Sequence, residues 1–596
     1  MADDTLVAIF WARAARYGDH VAQKMKRDGR WVDISWREYA EIVREIALGL
    51  VMLGCRKGTA IALLSQSRAE WVQCDFGILS ASGITIPIYP SYPCDQIAYI
   101  VNDSGAKILI VENQVQLDKA RQVLSKMPDL GWLILVEGDP GDDPFVLSLE
   151  RVRAVGREQA EELESTLEEQ KGAVVPDDTA TIVYTSGTTG PPKGVIQTHG
   201  NHAAMLRSVG QHAEVEPGDL HLLFLPLAHT FGRLESYVGV YFGLTTAFAE
   251  SLEKVAENLR EVSPTFIYSV PRVFEKVYAR IQSQIQSAPP LRQKIFGLAL
   301  GVGRQVSRRQ QAKRRVPLVL RLKHALAHRL VFHKIHQTLG GRLRFCVSGG
   351  APLSREIAEF FHAMGILILE GYGLTECCPV LTANDLENFK FGTVGRPVPG
   401  VELRIASDGE ILARGPNIAK GYFKKPEATA EVFDPDGWFH TGDVGMLDRD
   451  GFLTITDRKK DLIVTAGGIN VAPQNVENAL KAHPLISQAM VYGDRRPYPV
   501  ALIALNLEEV SAWAKEHGLE TPDPAALAQH EEVRTIVARI IEEKNATLPT
   551  YAQMKKFAIV PIDFTQEGGE LTPTLKVKRK VVADKYRELI ESLYAS

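Results

Sequence analysis

Residues Thr181 to His199 read TIVYTSGTTGPPKGVIQTH: an apolar run, a turn of Ser, Thr and Gly, then a lysine. Such a loop can wrap a polyphosphate. Its glycines let the backbone approach anionic oxygens. The N–H groups and hydroxyls of Thr185, Ser186, Gly187, Thr188, Thr189 and Gly190 can then donate hydrogen bonds, while Lys193 adds a point charge. The spacing is not that of GxxxxGK[ST], because Pro191 and Pro192 precede the lysine and Gly194 follows it. A surface turn between strand and helix uses similar residue types, though not in an eleven-residue run this specific.

Six further stretches carry side chains suited to chemistry. LPLAHTFGR (225–233) places His229 in a strand-to-helix turn, where a lone histidine can equally be structural. VSGGAPL (347–353) has the pair Gly349-Gly350, then Ala351, where a backbone can pass close to a flat ligand. GYGLTE (371–376) offers an aromatic, a hydroxyl and a carboxylate in Tyr372, Thr375 and Glu376, with Gly373 between; a helix N-terminal turn would read similarly. WFHTGDVG (438–445) carries Asp443, able to accept from two hydroxyls or simply to close a turn. DRKKDLIVTAGGINVAP (457–473) contributes Arg458, Lys460, Gly467 and Gly468, and LTPTLKVKRK (571–580) contributes Lys576 with Lys578 as a rival.

The elements that must position these groups follow an α/β rhythm. Over the first ~450 residues short apolar runs alternate with helical patterns, as in largely parallel sheets. Strands are expected at 59–65, 84–89, 107–111, 181–186, 221–227, 245–250, 265–270, 343–349 and 366–373. Each motif of this part follows one of them, and such sheets hold ligands at strand carboxyl ends. From about 393 the texture turns to short β runs with Gly/Pro turns. A last unit near 457–596 mixes strands (AMVYGD, VALIALN, KFAIVP) with helices (APQNVENALKAH, VRTIVARIIEEKNATL). Residues 138–176 read as an irregular acidic connection.

Composition bounds the rest. A chain of 596 residues calls for two to four domains or subdomains. The net charge of −4 gives no global pull toward nucleic acid or membrane. There is no 18-residue apolar run and no signal-peptide pattern. Six cysteines without CxxC spacing fit a reducing cytoplasm, with Cys377 and Cys378 expected as buried, inert thiols. One segment departs from this balance. Between Glu275 and Glu356 there is no acidic residue, and 304–344 is dense in Arg, Lys and His, with Pro317 as a helix boundary. That stretch is either a solvated insertion or a basic patch for anionic lipid or the phosphates of CoA; without interleaved aromatics apart from Phe332 it does not read as a nucleic-acid site.

In their order, the motifs resemble the acyl-adenylate-forming superfamily of acyl-CoA synthetases, peptide-synthetase adenylation domains and luciferases. The match runs from about residue 30 to 585, and DRKKDLIVTAGGINVAP, TPTLKVKRK and the basic insertion of 276–344 resemble its bacterial long-chain fatty acid–CoA ligases. The resemblance implies an α/β N-terminal domain (1–456) with a β-rich subdomain at about 390–456, a hinge (457–461) and a mobile α+β C-terminal domain (462–596). It implies that Gly349-Gly350-Ala351 and Tyr372 frame adenine, Thr375 bonds the α-phosphate, and Glu376 holds Mg²⁺. His229 would lie by the acyl carboxylate and phosphates, and Asp443 and Arg458 by the ribose. Lys460 would be the pivot, Gly467-Gly468 would line a CoA channel, and Phe274 would gate an acyl tunnel or serve as a core aromatic. Lys576 would bridge carboxylate and α-phosphate, although Leu575 stands where many members have Gly.

The implied activity is ATP-dependent ligation of a long-chain fatty acid to CoA through an acyl-adenylate, with fatty acid, ATP and CoA as partners. A medium-chain or aryl acid ligase, and a silent acyl or nucleotide sensor, stay open as alternatives. No carrier domain follows in the chain. The expected location is the cytoplasm, with a peripheral contact to the inner membrane face through 304–344.

Overall fold

The computed structural model describes residues 3–595 except 186–190, 213–214, 467–469, 520–522 and 573–575. The apolar runs become strands. The central one is a nine-stranded sheet whose middle strands run parallel, in the spatial order Leu367–Tyr372, Phe345–Ser348, Phe266–Ser269, Leu220–Leu223, Thr245–Phe248 and Val21–Arg27. Antiparallel strands flank both ends: Arg30–Ser35 at one, Thr382–Ala383 and Arg396–Pro397 at the other. A second, eight-stranded sheet is built around Ala60–Leu64, Ile84–Ile88 and Ile108–Val111. These three strands are almost wholly buried, as parallel strands covered on both faces must be.

The strands that flank the Ser/Thr/Gly-rich turn lie at the border of this second sheet. Strand Thr179–Thr185 runs parallel to Ile84–Ile88, but its continuation turns back as the antiparallel strand Lys193–Thr198. A turn between strand and helix is therefore corrected to a β-hairpin, and helix His199–His212 starts only after the return strand. The returning run KGVIQT is buried except at Lys193 and Ile196, which are half-buried.

Residues 138–176 also depart from expectation. They contain strand Val146–Ser148 and two helices, Leu149–Glu158 and Ala160–Gly172. Ser148 caps the first helix, accepting from Arg151 N at 3.0 Å, and Leu149, Val152 and Gly156 form its buried face. Gly156 lies so close to the Glu45 carbonyl of helix Trp36–Met52 that a Cβ would meet it at 2.1 Å. Charged residues of both signs on the outer face mask this 3.6-residue period.

Beyond Gly400 an antiparallel four-stranded sheet forms from Glu402–Ile405, Glu410–Arg414, Phe439–Leu447 and Leu453–Arg458. From Ile463 onward the chain builds two cores of its own around the sheet Ile486–Tyr492, Val500–Leu505 and Lys556–Ile559. This C-terminal domain touches the large one through Arg272, which donates to Ser487 Oγ at 2.8 Å, and through Lys544 and Glu356 at 3.9 Å. Among the described residues no helix is long and apolar enough to cross a membrane. Cys377 and Cys378 are buried, with burial pushing both thiols up, so neither is a nucleophile in waiting.

Candidate active site

The carboxyl ends of the central strands meet the hairpin of the second sheet, and the motif residues cluster there. Ser186, Gly187, Thr188, Thr189 and Gly190 lie outside the described residues. The two ends of their loop are fixed: Thr185 pairs with Lys193 across the hairpin, and its hydroxyl donates to the Lys193 carbonyl at 3.4 Å. The Lys193 ammonium stands 5.0 Å over the ring of Tyr422, whose hydroxyl donates to Glu376 Oε1 at 2.7 Å. Lysine, tyrosine and carboxylate thus form one chain from the loop to the GYGLTE turn. Gln197, on the return strand, donates to the Thr375 carbonyl at 2.6 Å and pins that turn from below.

A second chain starts at Tyr372. Its hydroxyl donates to Asp443 Oδ2 at 2.7 Å, and Asp443 Oδ1 lies 3.1 Å from Arg458 Nε. Asp443 and Arg458 are cross-strand partners in the four-stranded sheet, which fixes their spacing. Burial and the Asp443 carboxylate push the Tyr372 phenol far up, so it stays a neutral donor. Desolvation works to lower the Arg458 pKa, but Asp443 and Asp461 outweigh it, and the guanidinium keeps its charge.

The glycines of these turns are there for space. A Cβ on Gly373 would meet the Pro379 carbonyl at 1.8 Å, and one on Gly349 would meet the Phe231 ring at 3.0 Å. Gly350 has φ +81, a conformation that favours glycine, and it stands exposed beside Ala351. The strand end at Ser348 therefore opens a backbone ledge next to Tyr372.

His229 caps helix Thr230–Phe242: its Nδ1 accepts from Phe231 N at 3.1 Å, which leaves the proton on Nε2. Burial, and then the charge of Lys576, push its pKa down to about 4, so the ring is neutral at physiological pH. That coupling brings Lys576, from the C-terminal domain, within electrostatic reach of His229. Lys576 is an exposed residue, but enough protein surrounds its ammonium to desolvate it. Desolvation there, then Arg458, push its ammonium down to about 8, with Asp443 opposing. The amide of Lys578 donates to the Glu570 carbonyl at 2.7 Å.

Phe274 is buried in the first turn of helix Pro271–Gln286, edge-on to Phe361 at 6.0 Å, two residues beyond the interdomain contact of Arg272. Lys460 is exposed in the turn after strand Leu453–Arg458. Gly467 and Gly468 lie outside the described residues, between the short strands Ile463–Val464 and Asn470–Val471.

Sequence reasoning missed Tyr422, Gln197 and a buried network behind the loop. Arg233, four residues after His229, is fully buried; it bonds Asp75 at 2.7 and 3.0 Å and also reaches Thr181 and Tyr237. Thr181 belongs to the strand that leads into the Ser/Thr/Gly-rich turn and in turn donates to the Thr85 carbonyl at 2.7 Å. A guanidinium in LPLAHTFGR was the available signal, since a charge in an apolar helix must find a partner.

The AMP-binding enzyme family matches residues 10–423, and its C-terminal domain matches residues 460–596. The long-chain-fatty-acid--CoA ligase FadD15 of Mycobacterium tuberculosis is 38% identical over 596 residues, covering 99% of this chain and 97% of that protein. The human long-chain-fatty-acid--CoA ligase ACSBG1 is 32% identical over 99% of this chain and 85% of its own length. The adenylation domain of a carboxylate reductase from Mycobacterium chelonae shares the fold, with a TM-score of 0.77 at 22% identity over 99% of this chain and 91% of that one. By sequence, fold and the order of its motifs, this chain belongs to the AMP-binding enzyme family.

Proposed function

We propose that this protein is an AMP-forming long-chain fatty acid–CoA ligase that works through an acyl-adenylate at a single site. One observation carries the reading: Lys576 of the C-terminal domain lies close enough for its charge to be felt at His229 and for Asp443 and Arg458 to act on it. Two anions must meet there, a carboxylate and a triphosphate, and a mobile ammonium lowers that barrier. Full-length identity to named long-chain ligases supports the acyl class.

In the first half-reaction a carboxylate oxygen attacks the α-phosphorus of ATP. The bond from that phosphorus to the bridging oxygen breaks, and pyrophosphate leaves with the electron pair. Lys193 and the loop 185–190 hold the departing phosphates, Thr375 the α-phosphate, and Lys576 neutralises the converging charges. His229, neutral with its proton on Nε2, donates to an oxygen of the acyl phosphate and takes no part in proton transfer. Gly349, Gly350, Ala351, Tyr372 and Gly373 frame the base, while Asp443 and Arg458 hold the ribose.

The residues present fit Mg²⁺. Glu376 Oε1 is bonded to Tyr422, leaving Oε2 for a hard cation that takes its other ligands from phosphate and water. Among the described residues no group of three or more His, Cys, Asp or Glu could hold a metal ion by itself. When bound, the ion would neutralise phosphate charge.

In the second half-reaction the domain beyond a hinge at 457–461 turns about Lys460, withdraws Lys576 and presents Gly467 and Gly468. The CoA thiolate attacks the acyl carbon, the bond from that carbon to the AMP oxygen breaks, and AMP leaves. Phe274 gates the acyl tunnel. The basic segment 304–344 suits a peripheral place at the anionic inner face of a membrane around the cytoplasm, where such acids partition.

Pyrophosphate release from ATP·Mg²⁺ across acids from acetate to oleate, with and without CoA, tests this reading. Release should peak with long chains, and multiple turnovers should require CoA. A peak at a short or aromatic acid would move the substrate, and no release with any acid would overturn the ligase.

A further inference from the structure

The basic segment is not merely charged. Helix Leu318–Ala327 follows helix Pro290–Gln311 and packs against it, and the pair lies on the outside of the large domain. Helix Leu318–Ala327 buries only Ala327. Val319, Leu322 and Leu326, with Leu330 in the π turn that continues the helix, are 57 to 64% exposed. Their spacing of three and four residues places them on one stripe. Helix Pro290–Gln311 repeats the pattern: Phe296, Ala299, Leu300, Gly303 and Val306 face the core, while Leu291, Ile295 and Leu298 point to solvent.

The surroundings of this apolar surface are cationic. Arg308, Arg309, Arg314, Arg315, Arg321 and Arg329 are exposed, and none of them has an acidic partner among the described residues. No Asp or Glu occurs anywhere from 276 to 355. Two copies of this chain meeting face to face would therefore bring guanidinium against guanidinium, an arrangement that costs rather than stabilises. A neutral protein partner would leave these charges unused. An anionic bilayer matches both components at once: apolar side chains enter the acyl boundary, and arginines reach the lipid phosphates.

We infer that the helix pair 290–330 is an interfacial membrane anchor, which inserts the stripe Val319, Leu322, Leu326 and Leu330 below the headgroups of anionic phospholipid. Nothing in this assignment needs the ligase activity. Helix Pro271–Gln286, which carries Phe274, packs against helix Pro290–Gln311, so an anchored enzyme would hold that residue near the bilayer.

The test is co-flotation of the full chain with vesicles of phosphatidylcholine alone or mixed with phosphatidylglycerol, at low and high salt. The variants are Leu322→Gln/Leu326→Gln, and Leu252→Gln as a control at an exposed leucine outside the anchor. The wild type and the control should float with the mixed vesicles. The double variant should lose at least about tenfold in partitioning, and high salt should remove what remains, because only the phosphate contacts are left. Equal partitioning of the double variant and wild type would overturn the anchor. So would sedimentation showing a dimer that the double variant dissociates, since a second copy would then cover the stripe. Pyrophosphate release with dissolved fatty acid and no vesicles, which should be equal in all three proteins, reports separately on the ligase.

Discussion

Replacing Asp75 by Asn should damage both stability and nucleotide binding, although Asp75 lies outside every motif. Asp75 and Arg233 are fully buried and bonded at 2.7 and 3.0 Å, with the Tyr237 hydroxyl donating to Asp75 at 2.9 Å. Arg233 also holds Thr181, at the start of the run that ends in the phosphate loop. Removing one partner leaves a buried guanidinium uncompensated, which costs about 3–5 kcal/mol. Removing both in favour of apolar groups is close to neutral by the same reasoning. Urea unfolding followed by circular dichroism should therefore place Asp75→Asn roughly 1–2 M below wild type. Asp75→Leu/Arg233→Met should recover most of that loss. The KM for ATP should rise in both, because the double variant removes the guanidinium from Thr181 and the single variant removes the carboxylate that holds it there. A single variant as stable as wild type would refute the reasoning, as would a double variant that loses the sum of the two single losses.

Two predictions concern the site directly. The Lys576 ammonium, pushed down to about 8 by desolvation and Arg458, is about nine-tenths protonated at pH 7 and about one-tenth at pH 9, so kcat/KM for adenylation should fall roughly tenfold over that interval. Lys576→Arg should abolish this limb while His229→Ala leaves it in place, and a limb unchanged in Lys576→Arg would reassign it. Glu376→Gln should raise the Mg²⁺ concentration for half-maximal pyrophosphate release by about tenfold or more; an unchanged midpoint would remove Glu376 from the ion.

The sequence made the strands and most of the site legible for a local reason. Fully apolar runs such as Ala60–Leu64 and Ile108–Val111 have few alternatives to a buried strand, and the motif residues sit in the turns that end such strands. Strand Val21–Arg27 lacked that signature. Its Lys24 and Lys26 are paired with Asp33, Glu250 and Glu261, partners that no local pattern announces. The helices at 149–172 were hidden by charged outer faces, and the return strand Lys193–Thr198 by its closeness to the glycine-rich turn. Tyr422 reaches Glu376 across 46 residues, Gln197 reaches Thr375 across 178, and Arg233 reaches Asp75 across 158. Contacts that long are set by the fold, and only the folded chain reveals them.

The most direct test separates the two half-reactions in Lys576→Ala. The variant should lose pyrophosphate release from ATP and oleate by about 10²–10³-fold, the usual cost of one preorganised electrostatic group. Given synthetic oleoyl-adenylate and CoA, it should form oleoyl-CoA at close to the wild-type rate, because Lys576 has by then been withdrawn. Equal loss in both half-reactions, or in neither, would contradict a single site gated by rotation of the C-terminal domain.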